Sequence, residues 1–285
     1  MPVEPPIELP RTLAEAYALL AAEPLTPIAG GTDLMVQITG ELGPPPDRML
    51  DLSRLDELRG VALDGGTLVL GARTTFAEIR RSALIREHLP ALVEAAATIG
   101  AAQIQNRATI GGNAVNASPA GDSLPILLAA DAALVAGGAG GERDIAATEF
   151  WTAYRTTALA PGELLLRIRI PVVTGREVRF RKVGTRRAQA ISKVVMALAW
   201  HDGGPAARWT NVRLALGSVA DRPIRATATE AVLENAAPVA ETADRAAATL
   251  AAEIHPIDDV RSTADYRRVV AARVLHRLIR DAGGW

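Results

Sequence analysis

Two segments with paired glycines contain residue types that could bind a phosphorylated ligand. The first reads IAGGTDL at residues 28–34, and the second reads ATIGGN at residues 108–113. Glycine lets backbone N–H groups approach an anion closely, and the N-terminus of a following helix adds a positive dipole. Two such loops could bind a diphosphate without a lysine or a metal ion. The alternative is that each glycine pair only forms a tight turn.

Polar side chains near both segments support the binding interpretation. Thr32, Thr109 and Asn113 could donate further hydrogen bonds to phosphate oxygens. Asp122, at the end of the ASPAGD segment 117–122, could accept a hydrogen bond from a ribose hydroxyl or cap a following helix. From residue chemistry alone, the two segments indicate a site for a dinucleotide or a nucleotide phosphate.

Other common sites are missing from the sequence. It has no Gly-x-Gly-x-x-Gly, no Walker-type Gly-Lys-Ser/Thr and no Gly-x-Ser-x-Gly. Because it has no cysteine, its own side chains cannot form a disulfide, ligate an iron–sulfur cluster or provide a thiol nucleophile. The four histidines are scattered and do not pair at metal-ligand spacing. We therefore predict neither a metal site nor a catalytic side chain in this chain.

Helix and strand signals alternate irregularly along the first part of the chain. Thr-x-x-Glu at residues 12–15 and 75–78 predicts two capping boxes, and Ser-x-x-Asp at 262–265 predicts a third helix start. Short apolar runs predict strands at 27–29, 49–52, 67–70, 133–136 and 164–170. The order lacks the regular alternation of a doubly wound sheet, so the predicted class is α+β.

A domain boundary is predicted near residues 171–176, where a strand-like run ends in PVVTG. Beyond it, strands are predicted at 178–183, 191–200 and 211–219, and helices at 227–234, 241–254 and 262–281. We predict a domain over 1–175, with subdomains of about 1–58 and 59–175, and a C-terminal α+β domain over 176–285 with a three-stranded antiparallel sheet.

Composition adds few constraints on function. With 31 Lys+Arg and 32 Asp+Glu the net charge is −1, which gives no general attraction to nucleic acid or to an anionic membrane. No secretory signal is visible, and the longest apolar stretch, at 124–138, is interrupted by Pro125 and Asp131. We expect a cytoplasmic protein with no membrane span and no nucleic-acid partner.

Five motifs in order resemble one family. They are AGGTDL at 29–34, ATIGGN at 108–113, ASPAGD at 117–122, FRKVGTRRAQAIS at 180–192 and DDVRSTADYRR at 258–268. Together they resemble the FAD-binding medium subunit of the molybdenum hydroxylases, of the xanthine dehydrogenase and carbon monoxide dehydrogenase type. The resemblance implies the FAD-binding fold of vanillyl-alcohol oxidase and p-cresol methylhydroxylase, with two α+β subdomains, followed by a carbon monoxide dehydrogenase flavoprotein-like C-terminal domain.

The resemblance also implies which residues bind FAD. They are Pro27, Ile28, Ala29, Gly30, Gly31, Thr32, Asp33, Leu34, Ile99, Thr109, Ile110, Gly111, Gly112, Asn113, Asp122, Leu165 and Lys182. In this scheme the two glycine loops hold the diphosphate and Asp122 contacts the nucleoside half. Leu165 packs near the flavin ring, and Lys182 approaches from the opposite side. Ordinary core packing would equally explain Ile99 and Leu165, and Lys182 could belong to a solvated basic face.

The family's partners follow from the same resemblance. It implies 2Fe-2S clusters in a small partner subunit, a molybdenum-pterin cofactor in a large one, and a dimer of heterotrimers. The FAD subunit then passes electrons from the clusters to an external acceptor. Alternatives are a free-standing FAD-dependent oxidoreductase acting directly on a small molecule, and a non-catalytic assembly protein of the same fold.

The sequence departs from the family pattern at two places. Thr32 and Asp33 stand where carbon monoxide dehydrogenase subunits tend to have His-Ser, which favours an N-heterocycle or aldehyde substrate over carbon monoxide. Ser262 stands where the family often has glycine, so either its φ is positive and slightly strained or the loop differs.

Overall fold

The computed structural model describes residues 5–40, 42–201 and 208–285. The strands are β1 (Ile7–Glu8), β2 (Thr26–Ile28), β3 (Met49–Asp51), β4 (Val61–Asp64), β5 (Thr67–Gly71), β6 (Ala133–Gly138), β7 (Gly141–Ala146), β8 (Trp151–Ala153), β9 (Thr156–Thr157), β10 (Leu164–Pro171), β11 (Arg176–Val183), β12 (Val194–His201), β13 (Thr210–Gly217) and β14 (Ile224–Arg225).

The helices complete a mixed α+β architecture, which confirms the predicted class. They are α1 (Leu13–Ala22), α2 (Leu34–Thr39), α3 (Phe76–Arg81), α4 (Ala83–His88), α5 (Pro90–Ala96), α6 (Ala102–Gln105), α7 (Ile110–Asn116), α8 (Leu124–Ala129), α9 (Ala147–Phe150), α10 (Thr227–Leu233), α11 (Ala240–Glu253) and α12 (Ala264–Gly283), with a 3₁₀ turn at Asp56–Leu58. Within the described ranges, no helix combines the length and apolar character needed to cross a bilayer.

A small parallel sheet in the order β1-β3-β2 begins the chain. α1 connects β1 to β2, and the Thr12 side chain accepts a hydrogen bond from the backbone N–H of Glu15. The Glu15 carboxylate, however, accepts from the backbone N–H of Arg11 and not from that of Thr12. The capping box predicted at 12–15 is therefore only half formed. Leu50 and Leu55 are buried in the core of this part.

A five-stranded antiparallel sheet follows, in the order β4-β5-β10-β6-β7. In β10 the side chains of Leu165, Ile168 and Ile170 are buried, whereas Arg169 on the other face is exposed. Helices α4 and α7 contact this sheet, and residues of α3, α5 and α8 belong to the same buried cluster. The predicted capping box at 75–78 is confirmed, because the Thr75 and Glu78 side chains each accept a hydrogen bond from the other's backbone N–H.

The C-terminal sheet has the order β11-β12-β13-β14 and is antiparallel throughout. The prediction of three strands was wrong by one. β14 has only two residues and pairs with β13 at Leu216 and Ala215, so no sequence pattern marks it. Helices α10, α11 and α12 cover one face of the sheet, and Leu214, Leu250 and Leu275 pack in the core between them.

The start of the last helix also differs from the prediction. Its N-cap is Thr263, whose side chain accepts a hydrogen bond from the backbone N–H of Tyr266. Ser262 belongs instead to a tight loop, where its N–H donates to the Asp259 carboxylate. Ser262 is not one of the described residues with positive φ, so the loop differs from the family pattern without backbone strain there.

One hydrophobic core joins the two larger sheets. Leu124 and Ile126 on α8 belong to the same buried cluster as Phe180, Val195 and Ala215 of the C-terminal sheet. The chain passes between the sheets from Pro171, the end of β10, to Arg176, the start of β11. The C-terminal sheet is thus packed directly against the helices of the preceding part.

Candidate functional site

A cavity of about 550 Å³ lies between the two glycine loops. Its wall contains most of the residues that the sequence predicts for the site. These are Pro27, Ile28, Ala29, Gly30, Gly31, Thr32, Asp33, Leu34, Ile99, Thr109, Gly111, Gly112, Asn113 and Leu165. The structure therefore brings together segments that are far apart in the chain.

The first glycine loop requires both of its glycines. Gly31 has a φ of +71°, a region that side chains with a Cβ rarely adopt. A Cβ on Gly30 would lie 2.0 Å from the backbone oxygen of Arg107. The conformation of this loop is therefore fixed by contacts that only glycine permits.

The backbone N–H groups of the first glycine loop are unpaired among the described residues. Among the described residues, the amide groups of 30–34 donate to no backbone or side-chain acceptor. They follow β2 and precede α2, so they line the cavity at the positive end of a short helix. Consecutive unpaired N–H groups in a cavity wall suit an anionic ligand such as a diphosphate.

The second loop differs from the prediction that it, too, would offer free amides. The N–H of Ile110 donates to the carbonyl of Thr74 at 2.9 Å, and that of Gly111 to the carbonyl of Ala72 at 2.8 Å. The next two N–H groups donate to the side chain and the carbonyl of Thr109. The amides of this loop are therefore already paired, and the loop borders the cavity with Gly111 and Gly112, which have no side chains. Ile110 is completely buried and does not line it.

Asp122 and Lys182 are not in the wall of this cavity. The Lys182 Nζ lies 2.5 Å from the Asp122 Oδ2 and 3.4 Å from the carbonyl oxygen of Thr98. Their side chains are only 5% and 7% exposed, so Lys182 does not belong to a solvated face. Burial raises the pKa of Asp122, and the Lys182 ammonium opposes that effect. The Asp122 Oδ1 is buried without a hydrogen-bond partner among the described residues.

Lys182 lies at the edge of a second, wider space, which we call the basic cleft. It has a volume of about 1260 Å³ and separates α3, α5 and α6 from β11 and the loop after it. Besides Lys182, the basic residues that line it are Arg80, Arg81, Arg181, Arg186 and Arg187, and the one acidic residue among the described lining residues is Glu94. Within the described residues, none of these arginines forms an ion pair with a carboxylate. Thr98 lines the cleft and the next residue, Ile99, lines the cavity.

Sequence reasoning missed two charged residues in the cavity wall. Arg73 lines the cavity close to the second glycine loop, and its side chain is 11% exposed. It comes two residues after the end of β5, among small and polar residues, and no local pattern distinguishes it from a surface arginine. Glu163 also lines the cavity, where the Arg143 guanidinium binds both of its carboxylate oxygens at 2.8 and 2.7 Å.

Over the part of the chain that the structure describes, no three His, Cys, Asp or Glu residues lie together as a metal site would require. The cavity wall fits a flavin dinucleotide, because it combines free amides, tightly turned glycine loops and apolar surfaces such as those of Ile99 and Leu165.

Comparison with known proteins identifies the family. The family described as "FAD binding domain in molybdopterin dehydrogenase" matches residues 4–173, and "CO dehydrogenase flavoprotein C-terminal domain" matches residues 179–282. The chain is 32% identical to the glyceraldehyde dehydrogenase medium chain of Sulfolobus acidocaldarius over 91% of each chain. It is 33% identical to the carbon monoxide dehydrogenase medium chain of Afipia carboxidovorans, covering 96% of this chain and 94% of that one.

A solved structure agrees with this assignment. Carbon monoxide dehydrogenase from Hydrogenophaga pseudoflava superimposes with a TM-score of 0.92 at 30% identity, covering 97% of this chain and 96% of that one. The expected FAD-binding fold with an added C-terminal domain is thereby confirmed. The chain belongs to the FAD-binding medium subunits of the molybdenum hydroxylase family and is an oxidoreductase subunit.

Proposed function

We propose that this chain, as a member of that family, is an electron-transfer subunit that works between partner subunits and an external acceptor. A large partner would oxidise the substrate at a molybdenum-pterin cofactor, and a small partner would carry 2Fe-2S clusters. This chain and its two partner subunits would form a heterotrimer, and two heterotrimers would form a dimer. FAD supplies a carrier that can exchange electrons singly or in pairs.

The run of free amides at 30–34 is the observation that carries the proposal. It lies in the wall of a cavity whose size suits a cofactor. The Gly111–Gly112 loop forms another part of the same wall. We propose that these amides, with the side chains of Thr32 and Asn113, donate hydrogen bonds to the diphosphate of FAD. Ile99 and Leu165 would exclude water from the apolar portion.

The charged groups of the cavity wall support a role in binding the cofactor rather than in acid–base catalysis. Its carboxylates among the described residues are Asp33 and Glu163, and its wall there contains no histidine. Glu163 is held by Arg143, which keeps the pKa of that carboxyl below its ordinary value. A carboxylate that is ionised and paired is a poor proton carrier near neutral pH. The chain's residues would position the cofactor and set its electrostatic surroundings.

The visible spectrum of the purified chain tests the proposal against its alternatives. We expect a yellow protein, or one that takes up added FAD, whose flavin is reduced only when partner subunits and their substrate are added. Reduction by a small-molecule substrate without partners would indicate the free-standing oxidoreductase. A colourless protein that refuses FAD would indicate the assembly protein and contradict both flavoprotein functions.

Replacing Gly31 with valine tests which loop holds the cofactor. At a φ of +71° a valine is strained by about 1–2 kcal/mol, and its Cβ would lie 3.2 Å from the Met35 Cγ. We expect Gly31→Val to lose FAD while its far-ultraviolet circular dichroism stays that of the wild type. Gly43→Val is the matched control, because a Cβ there meets nothing within 4 Å. Unchanged FAD content in Gly31→Val would show that another segment binds the diphosphate.

A further inference from the structure

Arg73 is a positive charge built into the wall of the cofactor cavity. Its backbone N–H donates to the carbonyl of Leu58 at 2.7 Å, and the carbonyl of the preceding residue, Ala72, accepts from Gly111 of the second glycine loop. The backbone of Arg73 is thus fixed beside that loop. Among the described residues of the wall, Arg73 is the one lysine or arginine.

The Arg73 guanidinium donates hydrogen bonds to two backbone carbonyls and forms an ion pair with one exposed carboxylate. Its Nη1 donates to the carbonyl oxygen of Leu55 at 2.7 Å, and its Nη2 donates to that of Ser53 at 2.5 Å. The nearest carboxylate, that of Asp56, is 3.7 Å away and 93% exposed, so solvent screens it. Burial lowers the pKa of Arg73, but an arginine stays charged throughout the physiological range. Arg73 therefore stays charged, and the one carboxylate that forms an ion pair with it among the described residues is exposed to solvent.

The other charged residues of the wall, Glu163 and Asp33, determine how much the positive charge of Arg73 matters for an anionic ligand. Glu163 is neutralised by its two hydrogen bonds from Arg143. Asp33 is exposed and forms no ion pair among the described residues, so its negative charge, partly screened by solvent, would oppose a diphosphate. Without Arg73 the wall would be net negative. With Arg73 the charge of Asp33 is offset.

We propose that Arg73 is an electrostatic determinant of FAD binding, which holds a positive charge in the cavity wall against the two negative charges of the diphosphate. The inference rests on the proposed function. It adds a side-chain cation to a site whose other diphosphate donors are backbone amides and neutral side chains. Because the guanidinium is anchored by Ser53 and Leu55, its charge is positioned before the ligand arrives, and binding requires little reorganisation.

The same two carbonyl contacts suggest a competing explanation. Arg73 could serve only to pin the segment containing Ser53 and Leu55, and its charge would then be incidental. Two substitutions separate these roles. Arg73→Lys keeps the charge but can bind only one carbonyl well, whereas Arg73→Gln keeps an N–H donor and removes the charge.

The experiment is a titration of the flavin-free full chain with FAD, followed by flavin fluorescence at about 50 mM and at higher salt. We expect Arg73→Gln to bind FAD about tenfold more weakly at low salt, the effect of one charge-assisted interaction. Arg73→Lys should remain within about threefold of the wild type. The salt dependence of the dissociation constant should be smaller in Arg73→Gln than in the wild type. The matched control is Arg222→Met, which removes an equally positive charge from an exposed site in the C-terminal part.

Two results would overturn the inference. Wild-type affinity and salt dependence in Arg73→Gln would show that the charge is irrelevant. An equal loss in Arg73→Lys and Arg73→Gln, with unchanged salt dependence and a lowered melting temperature in both, would show that the residue only pins the segment. Failure of the wild-type chain to bind FAD would instead contradict the proposed function itself, and it is seen before any variant is compared.

Discussion

Replacing Lys182 with methionine should destabilise the chain strongly, because it leaves the Asp122 carboxylate buried without its cation. The two side chains are 5% and 7% exposed, and the Asp122 Oδ1 already lacks a partner among the described residues. After the substitution the remaining support for Asp122 includes the Thr98 hydroxyl, 3.3 Å from its Oδ2. Removing one partner of a buried ion pair costs about 3–5 kcal/mol.

Urea unfolding of the flavin-free protein measures this cost. The matched control is Arg181→Met, the neighbouring residue on β11, whose side chain is exposed on the opposite face of the strand. We expect that control to change the free energy of unfolding by no more than about 0.5 kcal/mol. The double variant Lys182→Met/Asp122→Asn should be more stable than Lys182→Met alone, because no charge then remains buried.

The pH dependence supplies an independent check on the same pair. Burial raises the pKa of Asp122 above its ordinary value of 3.8, so the folded chain binds that proton more tightly than the unfolded chain does. Without Lys182 this rise should be larger. The stability deficit of Lys182→Met should therefore shrink as the pH falls toward the ordinary value and grow as the pH rises above it. A cost equal to that of Arg181→Met, or a deficit independent of pH, would refute the buried-pair reasoning.

Two further predictions concern surface charge. The pKa of Glu163 is lowered chiefly by its hydrogen bonds from Arg143, so its stabilising effect is present above the ordinary glutamate value of 4.5 and lost as the pH falls below it. Glu163→Gln should flatten the acid-side fall in melting temperature, and an unchanged profile would contradict this. Arg187→Glu should weaken association with co-purified partner subunits about tenfold at low salt without changing FAD content, because it reverses a charge in a cleft whose arginines pair with no carboxylate among the described residues. Sedimentation would compare partner binding by this variant with partner binding by Arg277→Glu, an exposed control on α12. Equal binding by both variants would show that the basic cleft does not bind the partner subunits.

Sequence patterns predicted the longer elements well because their signals are local. β10 alternates over most of its length, and β12 is apolar over nearly all of its eight residues. The errors occur where tertiary contacts decide. β14 exists because β13 offers an edge to Ile224 and Arg225. Ser262 and Thr263 are equally good N-caps by residue type, and the hydrogen bonds to Asp259 leave only Thr263 available.

Some residues of the site could likewise be predicted from local sequence, and others could not. The glycine loops could be predicted, because paired glycines after an apolar run mark a turn whose backbone must approach something closely. The ion pair of Asp122 with Lys182 joins residues 60 apart in sequence, and no periodicity indicates such a pairing. Arg73 looks like any surface arginine until the fold brings the carbonyls of Ser53 and Leu55 to it.

Ion pairs at the two ends of α8, one buried and the other partly exposed, explain how the C-terminal sheet keeps a fixed orientation against the preceding part of the chain. Asp122 comes just before α8 and Asp131 just after it. Asp122 binds Lys182, and Asp131 binds Arg176 and Arg213 at 2.8 and 3.1 Å, all three cations belonging to the C-terminal sheet. Between these pairs the apolar face of α8 packs into the shared core. Rotation of the C-terminal sheet about α8 would break ion pairs at both ends of the helix and expose apolar surface, so the orientation that places Lys182 against the carbonyl of Thr98 is strongly held.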